Sequence, residues 1–135
     1  MRLVVDTNIL IAALIRDSMT RHILIHLNAE FITLSYSEVE IQKHKAYILA
    51  KVNMQEEEFD RLRISLTKRL TLLDEQNLIL YWQDAIQIMD KIDPDDTAFI
   101  AAALATKSDI WSDDKHFERQ NKVKVWKTKD LVALV

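Results

Sequence analysis

The chain has 135 residues, a formal net charge of −3 and no glycine or cysteine. This length suits one hydrophobic core, so we expect residues 1–135 to form a single domain. The composition excludes disulfides, thiolate metal sites, P-loops and glycine-rich dinucleotide-binding loops, because each needs cysteine or glycine.

Short apolar runs alternate with longer helical segments along the chain. The apolar runs predict strands at 3–5, 31–34, 71–73, 109–112 and 122–126. The segments between them predict helices at 8–15, 19–27, 37–51, 55–70, 81–92, 95–107 and 129–135. This alternation predicts an α/β fold with three layers, α/β/α, around a mainly parallel sheet of four to five strands.

Carboxylates follow two of the predicted strands. Asp6 comes directly after Leu3-Val4-Val5, and Asp113 and Asp114 follow the strand that ends at Ser112. Sites in such sheets form beyond the carboxyl ends of the strands, so neighbouring first and fourth strands would bring these acids together. Asp6 could instead cap the next helix, although Thr7 or Asn8 could fill that role.

Two further acidic segments lie on predicted helices. In Asp93-Pro94-Asp95-Asp96, Asp93 suits the N-cap and Pro94 suits the first helical position, which leaves one aspartate of this segment for another role. Glu38 and Glu40 are two residues apart on one helix, so only one of them can enter a cleft.

The four histidines show no spacing typical of a zinc site. His22 and His26 share a helix face, but no third ligand lies near them in sequence. We therefore expect surface or structural roles for all of the histidines, including His44 and His116.

Four segments together resemble the PIN domain family, small metal-dependent nucleases that include VapC-type toxins. The similarity covers nearly the whole chain, and the segments come in the order typical of the family: Val5–Leu10, Ser35–Ile41, Asp96–Leu104 and Trp111–Phe117. Ser112 stands where many relatives have threonine, and Asp113 stands where glycine or asparagine is common.

The resemblance implies an endoribonuclease that hydrolyses RNA phosphodiester bonds at an acidic Mg²⁺ or Mn²⁺ site. It places the catalytic acids at Asp6, Glu40, Asp96 and Asp114. Asp6, Asp96 and Asp114 would bind the metal, with Glu40 acting through water. The expected supporting residues are Asn8, Ser112 and Asp113, and the expected RNA contacts are Arg16, Lys43 and Lys115. Whether Glu38 or Glu40, and Asp113 or Asp114, faces inward stays open at this point.

The resemblance also implies partners. We expect an RNA substrate, a small antitoxin protein if the chain is a toxin, and a homodimer. There are two alternatives to a toxin. One is an RNA-processing nuclease without an antitoxin, and the other is an inactive PIN-like module that binds RNA or protein. A response-regulator receiver is disfavoured because the second strand ends without aspartate, and a haloacid-dehalogenase-type phosphatase because Asp6-Thr7-Asn8 lacks a second acid.

Neither end of the sequence nor its apolar runs suggest membrane insertion. No apolar run approaches the roughly 20 residues of a membrane span, and Arg2 is followed by only three apolar residues before Asp6. Together with the absence of cysteine, this leads us to expect a cytoplasmic protein without membrane association.

Overall fold

A single parallel sheet forms the centre of the molecule. The computed structural model describes residues 1–15 and 18–135; Arg16, an expected RNA contact, lies outside them. The strands follow the order β3-β2-β1-β4-β5, and every neighbouring pair is parallel. Their bounds are β1 Arg2–Val5, β2 Glu30–Leu34, β3 Leu70–Leu73, β4 Asp109–Trp111 and β5 Val125–Trp126.

Helices connect the strands and cover both faces of the sheet. The α-helices of the described residues are α1 Thr7–Ile15, α2 Met19–His26, α3 Ser35–Lys43, α4 Lys45–Val52, α5 Glu56–Thr67, α6 Trp82–Met89, α7 Thr97–Thr106 and α8 Thr128–Val132. Shorter 3₁₀ helices span Glu75–Tyr81, Pro94–Asp96 and Lys115–Arg119. None of the described helices is both long and apolar enough to cross a membrane.

The core is divided into two clusters by the sheet. Leu3 and Val5 of β1 belong to one cluster with helices α1 to α5 and α8, whereas Val4 belongs to the other with α6 and α7. Successive side chains of a strand point to opposite faces, so a wholly apolar strand requires cover on both. The predicted three-layer α/β/α fold is therefore confirmed.

Some element boundaries differ from the prediction. The helix predicted over 37–51 is broken at His44, where φ is −96° and ψ is 5°, and α4 then packs Ile48 into the core. The helix predicted over 81–92 begins as a 3₁₀ helix at Glu75, and the strand predicted over 122–126 is only Val125–Trp126. No glycine or proline marks these changes, so local propensity alone does not reveal them.

Two helices end in a left-handed residue although the chain has no glycine. Asn53 follows α4 with φ 52°, and Lys107 follows α7 with φ 53°. Asparagine tolerates this conformation, whereas a lysine Cβ makes it less favourable. Lys107 ends α7 two residues before β4 begins at Asp109, so this turn fixes the position at which the chain enters β4.

Pairing of β1 with β4 positions the candidate site. Val5 is in register with Trp111, and the Asp6 N–H donates to the Trp111 carbonyl at 3.1 Å. The residues that follow the two strands therefore emerge side by side at the carboxyl edge of the sheet. The sequence predicts that Asp6 lies near Asp114 only if the first and fourth strands are neighbours. The structure has these two strands side by side.

Candidate active site

Asp6 is buried at the junction of β1 and α1, with 5% of its surface exposed. Its Oδ2 accepts a hydrogen bond from the Ser112 hydroxyl at 2.7 Å, and its Oδ1 accepts one from the Asn8 N–H at 3.4 Å. Asp6 thus occupies the cap position of α1, a role that Thr7 or Asn8 was expected to take. Thr7 instead shares a hydrogen bond of 2.7 Å with the Ser37 hydroxyl.

The two aspartates after β4 have different partners. Asp113 accepts hydrogen bonds from the Thr128 N–H at 2.8 Å and the Thr128 hydroxyl at 2.7 Å, which ties the loop to α8. Asp114 accepts the His116 N–H at 2.9 Å, and its own N–H donates to Ser112 Oγ at 3.0 Å. Both carboxylate oxygens of Asp113 therefore accept hydrogen bonds from Thr128. Asp114 is the neighbouring acid whose negative charge raises the pKa of Asp6.

Asp96 enters the site from the start of α7. The cap is made by Asp93, whose Oδ1 accepts the Asp95 N–H at 3.0 Å, as the sequence predicts, with Pro94 in the first turn. Asp96 is only 9% exposed, and among the described residues its Oδ2 has no hydrogen-bond partner. A buried carboxylate oxygen without a partner is costly unless a cation or water satisfies it.

The choice between Glu38 and Glu40 is visible in their contacts. Glu38 forms an ion pair with Arg63 of α5 at 2.7 Å, and both side chains are mostly buried. Glu40 lines a cavity that Tyr36 and Asp95 also line. Glu40 lies 3.7 Å from both Lys43 and His44, distances at which each contact is weak. Glu38 therefore holds α3 against α5, and Glu40 is the glutamate on the open side.

The acids of the site influence one another electrostatically. The pKa of Asp96 is raised to about 7, first by burial and then by the charges of Asp93, Asp114 and Asp6, with His116 acting in the opposite direction. Burial also raises the pKa of Asp6, and the charge of Asp114 adds to this, although the hydrogen bonds to Asp6 oppose it. The negative charges of this acidic cluster (Asp6, Asp93, Asp96 and Asp114) are therefore not balanced by nearby positive charge.

The remaining predicted residues lie around this cluster. Asn8 lines a cavity with Asp6, Asp113 and Asp114, and the hydrogen bond that it gives Asp6 comes from its backbone rather than its side chain. Lys43 lines the cavity of Glu40, and Lys115 is exposed on the 3₁₀ helix after Asp114. Lys43 lies 3.7 Å from Glu40, and the side chain of Lys115 is exposed beside Asp114 in sequence.

Two residues at the site were missed by the sequence analysis. His116, expected to be a surface or structural histidine, has its Nδ1 3.1 Å from Asp93 and 3.2 Å from Asp114. The phenol of Tyr36 lies close enough to the acids that its pKa is raised, first by burial and then by Glu40 and other carboxylates of the cluster. The position of His116 two residues after Asp114 is a signal that could have drawn attention to it.

The donor set suits a divalent cation. Asp6, Asp96 and Asp114 offer carboxylate oxygens, which hard cations such as Mg²⁺ and Mn²⁺ prefer. The unpartnered Oδ2 of Asp96 and the raised pKa values show negative charge held together without full compensation. The carboxylates present are therefore of the chemical type that suits the metal implied by the resemblance. Among the described residues, however, the group whose ligand atoms all lie within 4.8 Å of one another is Asp93, Asp96 and His116, so it contains Asp96 but not Asp6 or Asp114.

Comparisons with known proteins agree with this fold. No curated protein matches the sequence. A chain of the crystal structure of VapBC2 from Rickettsia felis bound to a DNA fragment from their promoter superimposes with a TM-score of 0.72 at 18% identity. The match covers 94% of this chain and 98% of that chain. A family model described as PIN domain matches residues 4–134. Because this match spans nearly the whole sequence, the chain belongs to the PIN domain family.

Proposed function

We propose that this protein is a metal-dependent endoribonuclease that hydrolyses RNA phosphodiester bonds. One observation carries the proposal: Asp6, Asp96 and Asp114 come from three separate elements and their charges interact at the carboxyl edge of the sheet. Holding like charges together weakens a fold unless function requires it, so such clusters are candidates for catalytic sites.

The proposed ligands of the metal are Asp6, Asp96 and Asp114, with Glu40 acting through water. A bound Mg²⁺ or Mn²⁺ lowers the pKa of water and stabilises the charge that develops on a phosphate during hydrolysis. Ser112 keeps the Asp6 carboxylate in one orientation through its 2.7 Å hydrogen bond. Asp113 supports the loop of Asp114 by binding Thr128.

Nearby side chains provide the proposed RNA contacts. Lys43 and Lys115 carry the positive charge that phosphate groups of RNA require, and Arg16 is proposed for the same role. Asn8 lines the cavity of Asp6 and Asp114 and is proposed as a supporting residue. Phosphate contacts position a nucleic acid without reading its sequence, so these residues support binding of RNA as a class.

The test compares hydrolysis of RNA by the wild type and by Asp6→Asn in the presence of Mg²⁺ or Mn²⁺. We expect the wild type to cleave only when metal is added, and the variant to lose at least about a hundredfold in rate. Asp84→Asn is the matched control, because it changes an exposed aspartate of α6 that is not part of the acidic cluster. Equal metal-dependent rates for the wild type and Asp6→Asn would rule out the assignment, and DNA of the same sequence tests the preference for RNA.

A toxin role in a toxin–antitoxin pair is the more specific form of this proposal. It is supported by the similarity to a chain of the VapBC2 structure along almost its whole length. A small antitoxin would then bind this protein and block the acidic site. The test is whether a small protein encoded beside the gene stops RNA cleavage when added in equal amount. Absence of such a neighbour would favour an RNA-processing nuclease that works alone.

The other expectations stay predictions with direct tests. An inactive PIN-like binding module would bind RNA without cleaving it at any metal concentration. Sedimentation of the purified protein tests the homodimer, and limited proteolysis tests whether residues 1–135 behave as one domain. The cytoplasmic location is tested by cell fractionation.

A further inference from the structure

His116 is held over the acidic cluster by the segment that follows β4. Its N–H is bound by Asp114, and the next residue, Phe117, is fully buried and packs edge-to-face against Phe99 at 6.4 Å between ring centroids. The backbone on both sides of His116 is therefore held in place, and this puts the imidazole beside the acids.

The Nδ1 atom of His116 faces carboxylate oxygens from two directions. It lies 3.1 Å from Asp93 Oδ2, 3.2 Å from Asp114 Oδ1 and 3.8 Å from Asp96 Oδ2. Nevertheless Nδ1 and Asp96 Oδ2 are both buried atoms that have no hydrogen-bond partner among the described residues. Both atoms are therefore close together but lack hydrogen bonds, which leaves both of them available to a shared ligand.

The spacing of these atoms is that of ligands around one ion. Two atoms at neighbouring corners of an octahedral ion, each bound at about 2.1 Å, lie about 3 Å apart. One ligand atom from each of Asp93, Asp96 and His116 can be chosen so that all three lie within 4.8 Å of one another. Asp93 is pre-oriented for this role, since its Oδ1 is fixed by the Asp95 N–H and its Oδ2 faces the imidazole.

We infer that His116 Nδ1 binds a divalent cation together with Asp93 and Asp96, and that this mixed nitrogen and oxygen site takes Mn²⁺ in preference to Mg²⁺. Imidazole nitrogen binds first-row transition metals well, whereas Mg²⁺ strongly prefers oxygen. The inference rests on the proposed function, because Asp96 is shared with the proposed catalytic metal site. It adds two ligands, Asp93 and His116, that the family resemblance does not supply.

Pulsed electron paramagnetic resonance of bound Mn²⁺ tests the inference without measuring activity. One equivalent of Mn²⁺ is added to EDTA-stripped protein, and the spectrum is searched for coupling to a directly bound nitrogen. We expect this coupling in the wild type, a change of it when histidine is labelled with ¹⁵N, and its loss in His116→Gln. His26→Gln removes an exposed histidine of α2 and is the matched control in which the coupling should persist.

Binding constants provide an independent readout. We expect His116→Gln to lower the affinity for Mn²⁺ by about tenfold or more while Mg²⁺ binding changes little. Asp93→Asn keeps a good cap residue but removes the charge, so it should also weaken Mn²⁺ binding with little effect on folding. Circular dichroism and urea unfolding check that each variant is folded, and the ¹⁵N experiment requires no variant.

The outcomes separate this inference from the proposed function. Mn²⁺ that binds without nitrogen coupling, or coupling that persists in His116→Gln, overturns the role of His116 and leaves an all-oxygen nuclease site possible. In that case the contact between His116 and Asp93 is structural only. A different result would contradict the proposed function, namely RNA cleavage by Asp6→Asn at the rate of the wild type.

Discussion

The hydroxyl of Ser112 connects the residues that follow two neighbouring strands, β1 and β4. It donates to Asp6 Oδ2 and accepts the Asp114 N–H, so one atom contacts both acids that follow β1 and β4. Ser112 is fully buried, and no water can replace these bonds without rearrangement. The relative placement of two proposed metal ligands therefore depends on this side chain.

Removing that hydroxyl should damage the site more than the fold. We expect Ser112→Ala to reduce metal-dependent RNA cleavage by about 10- to 100-fold and to weaken metal binding similarly. Ser112→Thr keeps the hydroxyl and should retain most of the activity. Cleavage rates and calorimetric metal affinities of the two variants provide the comparison. A Ser112→Ala variant as active as Ser112→Thr would show that the hydroxyl does not orient Asp6.

The raised pKa of Asp96 predicts how the stability of EDTA-treated protein depends on pH. The folded-state pKa is about 7, against an ordinary value of 3.8, so the folded protein binds this proton more tightly than the unfolded chain does. This favourable contribution is fully present below pH 4 and is lost as the pH rises through 7. Metal binding needs the ionised carboxylate, so affinity should increase over the same range.

Asp96→Asn isolates this effect because asparagine does not titrate. We expect the variant to gain stability relative to the wild type as the pH rises from 4.5 to 7.5, by about 3 kcal/mol. Urea unfolding of both proteins in EDTA across this range measures the difference. A difference that stays constant with pH would contradict the assigned pKa.

At the scale of the element, α3 separates a structural glutamate from a proposed catalytic one. Glu38 points toward α5 and binds Arg63, whereas Glu40 lines the cavity beside Tyr36. The two residues are two positions apart, which turns their side chains to nearly opposite sides of the helix. Helix α3 is thus attached to α5 through Glu38 and contributes the carboxylate of Glu40 to the cavity on its other side.

Matched substitutions distinguish these two roles. We expect Glu38→Gln to reduce the free energy of unfolding by about 1–2 kcal/mol, because a partly buried ion pair loses its charge, and to leave most of the nuclease activity. Glu40→Gln should instead lower activity with almost no change in stability. Urea unfolding and RNA cleavage are measured on both variants. The reverse pattern would assign the site to Glu38.

The sequence predicts the features that depend on local pattern. The apolar run before Asp6 indicates a buried parallel strand, and Asp93-Pro94 indicates the start of a helix; the structure has both. The partner of Glu38 could not be predicted, since Arg63 lies 25 residues away on another helix. The same reason applies to His116, whose environment depends on Asp93 from a distant segment. The break at His44 also follows from packing of α4, and no residue type marks it.

At the scale of the whole molecule, metal binding and folding should be linked. The proposed ligands follow β1, precede α7 and lie in the loop after β4, so a cation that binds them binds only the folded state. A ligand at about 100 times its dissociation constant stabilises a folded protein by about 2.7 kcal/mol. The acidic cluster, which weakens the protein without metal, then becomes a source of stability.

Thermal unfolding with and without Mn²⁺ measures this linkage. We expect saturating Mn²⁺ to raise the Tm of the wild type by several degrees, at about 4 °C per kcal/mol for a domain of this size. Asp6→Asn should lose most of this increase, whereas Asp84→Asn should keep it. The same increase in Asp6→Asn and in the wild type would mean that the metal binds elsewhere.

The strand order has a consequence for synthesis of the chain on the ribosome. β1 is made first, but its partner β4 begins at Asp109, and the proposed ligand Asp114 comes later still. The proposed pocket therefore cannot assemble before the chain has been synthesised through Asp114. A polypeptide that stops before β4 contains Asp6 and Asp96 but not their proposed companion, so the proposed hydrolysis requires both ends of this sheet pairing.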